Sequence, residues 1–312
     1  MTGGVVRFKA IALALAAALA GLSMSGDAQP PSRTTAGHLL TWPELLGRTR
    51  PAPDHVVRYG DQAQQVVDLY LPPGDGPHPV VVMIHGGCWS QPWDRTLMNW
   101  ISDDLRRRGI AVWNIDYRTL GENDASAYPA LFEDVAAAAD ALLESNARYH
   151  LDLSRVVTVG HSAGGHLALW LAGRRNLPRG HFANRAPLPI HAAISLGGLQ
   201  DLELAERPPG SGCGTEVIGR LIGRSLPGRA DPFADTSVPR MGALRIPQVL
   251  INGNQDRIIP THFAEDYARQ MRAMGDDVRV RMIDATGHVE LVAPESAAWA
   301  AAVDEISRAL GR

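Results

Sequence analysis

The chain has 312 residues, of which 45% are hydrophobic and 20% are charged, a composition typical of a globular protein with a substantial core. Lys9 is its single lysine and lies in a predicted leader, so the mature chain cannot carry out Schiff-base chemistry or contain a Walker A phosphate loop or a Ser–Lys nucleophile pair. The two cysteines, Cys88 and Cys213, are too few for a four-thiolate metal or iron–sulfur site, and a net charge of −3 provides no basic surface for nucleic acid.

The first 28 residues have the pattern of a secretory signal peptide. Arg7 and Lys9 precede an apolar run over residues 10–22, and Gly26 and Ala28 place small residues at the −3 and −1 positions of a cleavage site. A helix over that run would be about 20 Å long, shorter than the roughly 30 Å hydrocarbon core of a bilayer. We therefore expect export to the periplasm or the medium, without a stable membrane span. The alternative is an uncleaved N-terminal membrane anchor.

Residues 29–50 are predicted to be a linker, because they contain several prolines and lack the period of a strand or a helix. Residues 51–312 are predicted to form one domain, in which short β-branched runs alternate with longer helical patterns. This alternation is typical of an α/β fold with a mostly parallel sheet and helices on both faces. An early pair of strands, residues 56–59 and 65–71, is predicted to form an antiparallel ribbon at one edge.

The other strands are predicted from short apolar runs. The run over residues 80–84 is continuously apolar, as expected of a strand that is buried on both faces. Further strands are predicted at residues 110–116, 156–159, 191–196, 248–252 and 278–283, and helices at residues 128–147, 166–172, 261–274 and 294–310.

Residues 203–243 interrupt this alternation. They contain two irregular, proline- and glycine-containing stretches on either side of one short helix, predicted at residues 216–222. A stretch of this length without regular structure inside a compact domain usually serves a function. We therefore predict that this segment is a lid over a site.

A candidate nucleophile lies between a predicted buried strand and an apolar helix, in the sequence Gly-His-Ser-Ala-Gly at residues 160–164. The motif Gly-x-Ser-x-Gly is weak by itself, but its position in a strand–turn–helix makes it specific. The turn is too tight for side chains at the two glycines, and it presents the serine hydroxyl above the sheet. Ser162 is therefore the predicted nucleophile.

A nucleophilic serine needs a base and a carboxylate that orients the base. His288 follows the last predicted strand, where a loop can carry its imidazole over the sheet. Asp256 follows the preceding strand and lies between Ser162 and His288 in the chain, which is the order expected for this arrangement. Asp201 and Asp284 are the alternative carboxylates.

Acyl transfer also needs N–H donors directed at the developing oxyanion. The sequence His-Gly-Gly-Cys-Trp at residues 85–89 follows the first buried strand, and its glycines allow the backbone to approach a substrate closely. Gly87 and Cys88 are the predicted donors, together with the N–H of Ala163 directly after the nucleophile.

Three further histidines near these motifs, His85, His161 and His166, are expected to be structural. His85 begins the glycine loop and can hold its turn through hydrogen bonds. Neither spacing nor an acidic motif around His161 and His166 suggests a metal site, and no metal or other cofactor is expected.

Residues 56–309 resemble the α/β-hydrolase superfamily, specifically the esterase and lipase branch that carries a His-Gly-Gly-x-Trp oxyanion loop. The loop at residues 85–89 and the serine motif at residues 160–167 look most like those of kynurenine formamidases and of bacterial feruloyl and acetyl-xylan esterases. Asp-Tyr-Arg at residues 116–118 and the segment 287–292 are similar to that branch as well.

The resemblance implies hydrolysis through an acyl-enzyme, with Ser162 as nucleophile, His288 as base and then acid, and Asp256 as the carboxylate that orients it. The chain departs from the family pattern at Cys88, where relatives usually have glycine or an aromatic residue. This departure changes the expected shape of the acyl pocket beside the oxyanion loop.

The residues around the oxyanion loop lead to two further expectations. Trp89 and Trp93 are predicted to line the substrate pocket as aromatic walls. Cys88 in the loop and Cys213 in the predicted lid leave two possibilities open. In an exported protein they could form a disulfide that holds the lid over the site, or they could remain two separate buried thiols.

The first functional hypothesis is a serine hydrolase that cleaves carboxylic esters with short or aryl acyl groups, the substrate being a small-molecule ester or an acylated carbohydrate. The second hypothesis assigns the same residues to an amide, as in an aryl formamidase or an oligopeptidase-like enzyme. The third, a non-catalytic binding protein on the same fold, predicts that a triad residue is lost, whereas Ser162, Asp256 and His288 are all present.

Overall fold

Eight strands form a single sheet in the part of the chain that the structure, a computed structural model, describes: residues 38–178, 182 and 187–312. The predicted signal peptide and residues 29–37 of the predicted linker lie outside the described residues. The strands are β1 (His55–Arg58), β2 (Val66–Tyr70), β3 (His78–Ile84), β4 (Ala111–Ile115), β5 (Leu151–His161), β6 (Ala192–Leu196), β7 (Gln248–Gly253) and β8 (Val278–Ile283).

The strand order in the sheet is β1-β2-β4-β3-β5-β6-β7-β8. The pairs β1/β2 and β2/β4 are antiparallel, and all later neighbours are parallel. The predicted edge ribbon is confirmed, with Val57 opposite Val67. Strands β4 and β6 are buried at every residue, which explains why each is apolar apart from one polar residue and does not alternate between apolar and polar residues.

Helices cover both faces of the sheet and bury two apolar clusters. One cluster includes Phe132 and Trp170, and the other includes Ile101 and Trp299; all four side chains are fully buried. The helices are α1 (Trp42–Leu46), α2 (Asn99–Arg107), α3 (Ala130–Tyr149), α4 (Ala163–Gly173), α5 (Leu202–Glu206), α6 (Thr215–Leu221), α7 (His262–Ala273) and α8 (Ala297–Leu310). No helix of the described residues is long and apolar enough to cross a membrane.

Helix α1 corrects the prediction that residues 29–50 contain no helix. Its Leu45 side chain is fully buried in the domain, and the Glu44 carboxylate accepts hydrogen bonds from the N–H and hydroxyl of Thr41. Hydrogen bonds from Thr41 lower the pKa of Glu44 to about 2, so the carboxylate is charged at neutral pH. A single turn of this length has too few residues to show a period, and burial of Leu45 on the domain stabilises it.

The predicted lid is more regular than expected. The short helix predicted at residues 216–222 is confirmed as α6, but α5 at Leu202–Glu206 was not predicted. Asp201 caps α5, because its carboxylate accepts a hydrogen bond from the N–H of Leu204 at 3.0 Å. This capping role explains the aspartate at position 201, just before the predicted lid.

Candidate active site

Ser162 lies at the apex of the turn between β5 and α4. Its backbone has φ 53° and ψ −120°, a strained conformation for a residue with a side chain. A methyl group added at Gly160 would lie 1.9 Å from the carbonyl oxygen of Gly164, and one added at Gly164 would lie 2.1 Å from that of Ile84. Both positions therefore require glycine, and the close approach that they permit holds Ser162 in its strained conformation.

His288 and Asp256 are joined by a short hydrogen bond. His288 Nδ1 lies 2.6 Å from Asp256 Oδ2, and both side chains are buried. The other carboxylate oxygen of Asp256 accepts hydrogen bonds from the N–H groups of Ile258 and Ile259 at 2.8 and 2.9 Å. Because the backbone orients the carboxylate, the carboxylate in turn can orient the imidazole and keep its Nε2 free to accept a proton.

The alternative carboxylates form other hydrogen bonds. Asp201 caps α5 and also accepts a hydrogen bond from Gln270 Nε2 at 2.8 Å. Asp284 accepts one from Asn254 Nδ2 at 2.9 Å. The structure therefore brings Asp256, and neither alternative, to His288.

Ser162 and His288 line the same cavity, which has a volume of about 170 Å³ and is called the Ser162 cavity below. Among the described residues, no hydrogen bond joins the Ser162 hydroxyl to His288. In many enzymes the hydrogen bond between nucleophile and base is long without substrate and becomes short only when substrate binds. The residues that line the Ser162 cavity are Trp42, Gly87, Cys88, Trp93, Leu97, His161, Ser162, Gly212, Ile258 and His288.

The predicted oxyanion loop lies directly against Ser162. A methyl group added at Gly86 would lie 2.9 Å from Ser162 Cβ, and Gly87 and Cys88 line the Ser162 cavity. Within the described part of the chain, no group accepts a hydrogen bond from the N–H of Gly87, Cys88 or Ala163. These three N–H groups are therefore available for an oxyanion.

His85 supports the oxyanion loop from below, as its predicted structural role requires. Its ring nitrogens lie 2.8 Å from the carbonyl oxygen of Gly86 and 3.1 Å from Asp116 Oδ1. Its ring stacks on Tyr117 at 4.2 Å, and the Tyr117 hydroxyl donates a hydrogen bond to the His85 carbonyl oxygen at 2.8 Å. These contacts leave His85 no free nitrogen for a second base.

Asp116 and Arg95 extend this support, and the sequence analysis did not identify them as part of it. Arg95 donates to Asp116 Oδ2 at 2.9 Å and also pairs with Asp68 at 2.9 Å. Burial would raise the pKa of Asp116, but the hydrogen bonds from His85 and Arg95 outweigh it and hold the pKa below its usual value. Asp116 is therefore a charged, buried anchor for His85.

His161 and His166 also have structural contacts. His161 Nε2 lies 3.1 Å from the carbonyl oxygen of His288, and its ring centroid lies 4.4 Å from that of His288. Burial, together with the neighbouring His288, lowers the pKa of His161 well below its usual value, so this ring is neutral at pH 7. Burial also lowers the pKa of His166 to about 4, and its Nε2 donates to the carbonyl oxygen of Thr236.

The two tryptophans predicted to line the pocket are in different environments. Trp93 lines the Ser162 cavity, as predicted. Trp89 does not line it: its side chain is fully buried in the core and packs edge-to-face on the His166 ring at 5.5 Å. The prediction that Trp89 lines the substrate pocket is therefore wrong. Trp42 and Ile258 line the Ser162 cavity instead, and no local pattern in the sequence indicated either.

A disulfide joins the oxyanion loop to the predicted lid. Cys88 and Cys213 are bonded, with their Cα atoms 5.4 Å apart, so the possibility of two separate thiols is wrong. The same segment makes a second contact, because the N–H of Gly212 donates to the carbonyl oxygen of Ile258 at 2.7 Å. The segment around Gly212 and Cys213 is thus held against both the oxyanion loop and the loop that carries Asp256.

Removing this disulfide is expected to lower both stability and activity. In Cys213→Ser the loss of a crosslink between residues 125 apart should lower the free energy of unfolding by about 2–5 kcal/mol. We also expect kcat to fall, because the backbone of Cys88 loses its tether. Urea unfolding and ester hydrolysis measure the two effects. Ser225→Ala, an exposed residue in the same predicted lid with the disulfide intact, is the control, and equal behaviour of both variants would contradict the tethering role.

Comparison with known proteins places the chain in a family. The BD-FAE family model matches residues 67–271, about two thirds of the chain. The structure of a truncated carbohydrate esterase from gut microbiota superposes with a TM-score of 0.71 at 18% identity, over 85% of this chain and 100% of that one. The fold predicted from the sequence, that of an α/β-hydrolase, is therefore confirmed.

Two curated relatives are esterases. A probable isoprenylcysteine α-carbonyl methylesterase of Arabidopsis thaliana is 26% identical over 245 residues, which are 75% of this chain and 50% of the relative. The esterase LipC of Mycobacterium tuberculosis is 24% identical over 230 residues, 70% of this chain and 55% of LipC. The chain thus spans about half the length of these relatives.

Proposed function

The chain belongs to the BD-FAE family, and from this premise we propose that it is a serine hydrolase that cleaves carboxylic esters. One observation carries the proposal. The hydrogen-bonded pair of His288 and Asp256 lies at the same cavity as Ser162 and the unpaired N–H groups of the oxyanion loop. The similarity to esterases supports the choice of an ester as substrate.

In the proposed reaction, Ser162 Oγ attacks the ester carbonyl carbon while His288 Nε2 accepts its proton. The carbonyl oxygen becomes an oxyanion and accepts hydrogen bonds from the N–H groups of Gly87, Cys88 and Ala163. His288 then gives its proton to the leaving alcohol, which departs and leaves an acyl group on Ser162. Water, deprotonated by the same imidazole, releases the acid and regenerates the serine hydroxyl.

Two experiments, covalent labelling and a substrate panel, test the proposal. A fluorophosphonate probe should modify the wild-type protein with one probe per chain, and peptide mass spectrometry should locate the adduct on Ser162. The panel compares nitrophenyl esters of graded acyl length with formylkynurenine. Labelling at another residue would overturn the assignment of Ser162, and much faster turnover of the formamide than of every ester would favour an amide hydrolase.

Export remains part of the proposal. The leader pattern over residues 1–28 supports it, and so does the disulfide, because disulfides persist mainly in oxidising compartments. An acylated carbohydrate or another small ester outside the cytoplasm would then be the substrate. N-terminal sequencing of protein from the periplasm or medium should begin at Gln29, whereas an intact leader in the membrane fraction would indicate an anchor.

A further inference from the structure

A segment that precedes the sheet in the chain supplies one wall of the Ser162 cavity. This N-terminal segment, residues 38–46, carries Trp42 in the first turn of α1. The Trp42 ring lies 5.4 Å from Trp93, 6.0 Å from His161 and 6.4 Å from His288, measured between ring centroids. Its indole therefore contacts the candidate base and the other aromatic wall together.

Glu290 holds the N-terminal segment against the loop that carries His288. One oxygen of its buried carboxylate accepts a hydrogen bond from the N–H of Leu40, and the other accepts one from the N–H of Gly287 at 3.0 Å. A single side chain thus connects the segment to the residue directly before His288. The position of Trp42 is therefore tied to the position of the imidazole.

Further contacts fix the chain near the end of this segment and directly after it. Leu45 is fully buried in the core, and Arg48 pairs with Glu295 at 2.6 Å. Trp100 Nε1 donates to the carbonyl oxygen of Thr49 at 3.0 Å. Because the segment is anchored on both sides of Trp42, the indole is a fixed wall of the cavity.

The chemistry of the walls indicates which part of an ester enters the cavity. Trp42, Trp93, Leu97 and Ile258 are apolar, and they suit an acyl chain better than a polyhydroxylated alcohol. A volume of about 170 Å³ is close to that of a cavity of about 150 Å³ that holds one benzene molecule. The space therefore suits a small acyl group.

We propose that Trp42 is a specificity-determining residue that limits the length of the acyl chain, an inference that rests on the proposed ester hydrolysis. Trp42 and its anchor Glu290 both lie outside residues 67–271, the range matched by the family model. The limit on acyl length is thus set by parts of the chain on either side of the matched range, which meet only in the folded protein.

The test compares acyl-length preference in Trp42→Ala, Trp42→Phe and the wild type. The readout is the ratio of kcat/KM for nitrophenyl hexanoate to that for nitrophenyl acetate. Removing the indole should raise this ratio about 10-fold or more, because the added methylenes of the longer acyl chain gain space. Trp42→Phe, which keeps a ring and the fold, should give a smaller rise in the same direction.

A variant in the same helix separates specificity from stability. Leu46→Ala removes a partly buried side chain of α1 that does not line the Ser162 cavity, so it should lower the melting temperature without changing the ratio. An unchanged ratio in both Trp42 variants, with fluorophosphonate labelling intact, would overturn the role of Trp42 and leave ester hydrolysis standing. If the wild type neither labels nor hydrolyses any ester, the proposed function fails, and the inference fails with it.

Discussion

Ser162→Ala is expected to lower kcat for nitrophenyl acetate about a million-fold. The acyl-enzyme cannot form without the Ser162 hydroxyl. The tight turn between β5 and α4 has no space for a side chain at Gly160 or Gly164, so neither of these positions could supply a nucleophile instead. Alanine has the same backbone restrictions as serine, so the strained conformation at φ 53° should persist and the protein should remain folded. Steady-state kinetics and a thermal unfolding curve check the two expectations.

Fluorophosphonate labelling should disappear in the same variant. Ser154→Ala is the matched control, because Ser154 is exposed, lies in β5 and does not line the Ser162 cavity. It should be labelled and turn over substrate like the wild type. Residual activity of Ser162→Ala at a tenth of the wild-type rate or more would show that another residue is the nucleophile.

Asp256→Asn is expected to lower kcat about 10,000-fold while the fold is retained. The amide oxygen of asparagine should keep the hydrogen bonds from the N–H groups of Ile258 and Ile259, so its NH₂ group would face His288 Nδ1. That nitrogen would then be an acceptor, and the proton of the ring would lie on Nε2, where it prevents the imidazole from accepting the serine proton. Kinetics on nitrophenyl acetate at pH 7 measure the loss.

Asp284→Asn is the control for this variant. Asp284 is exposed, bonds to Asn254 and lies in the loop that leads to His288. Its replacement should change kcat little, because its carboxylate does not reach the imidazole. A loss of kcat in Asp284→Asn as large as that in Asp256→Asn would contradict the assignment of the orienting role to Asp256.

Several features of the fold could be predicted from local sequence because they depend on residues close together in the chain. The apolar run at β3 and the strand–turn–helix around Ser162 are examples, since burial on both faces and a tight turn restrict which residues are possible. The ends of helices were less predictable. Helix α8 begins at Ala297 rather than near Pro294, because the Ser296 side chain caps it by accepting a hydrogen bond from the N–H of Trp299.

The three residues of the candidate triad could also be predicted from local sequence, because each lies a few residues after a predicted strand. Ser162, His288 and Asp256 each follow a strand of the parallel sheet, and the carboxyl ends of parallel strands meet at one edge. The sequence alone left Asp201 and Asp284 as alternatives to Asp256. Their hydrogen bonds to Gln270 and Asn254 became visible only once the chain was folded.

The amino-acid sequence alone predicted the strands of the sheet, the strained serine turn and the chemistry excluded by a chain whose single lysine, Lys9, lies in the predicted leader. The tertiary structure decided that Cys88 bonds to Cys213, that Trp89 belongs to the core, and that Trp42 forms a wall of the site. The reason is physical. The contact between Leu40 and Glu290 joins residues 250 positions apart, and no local propensity or periodicity encodes such a pairing. It exists only because the packed domain brings the two segments together.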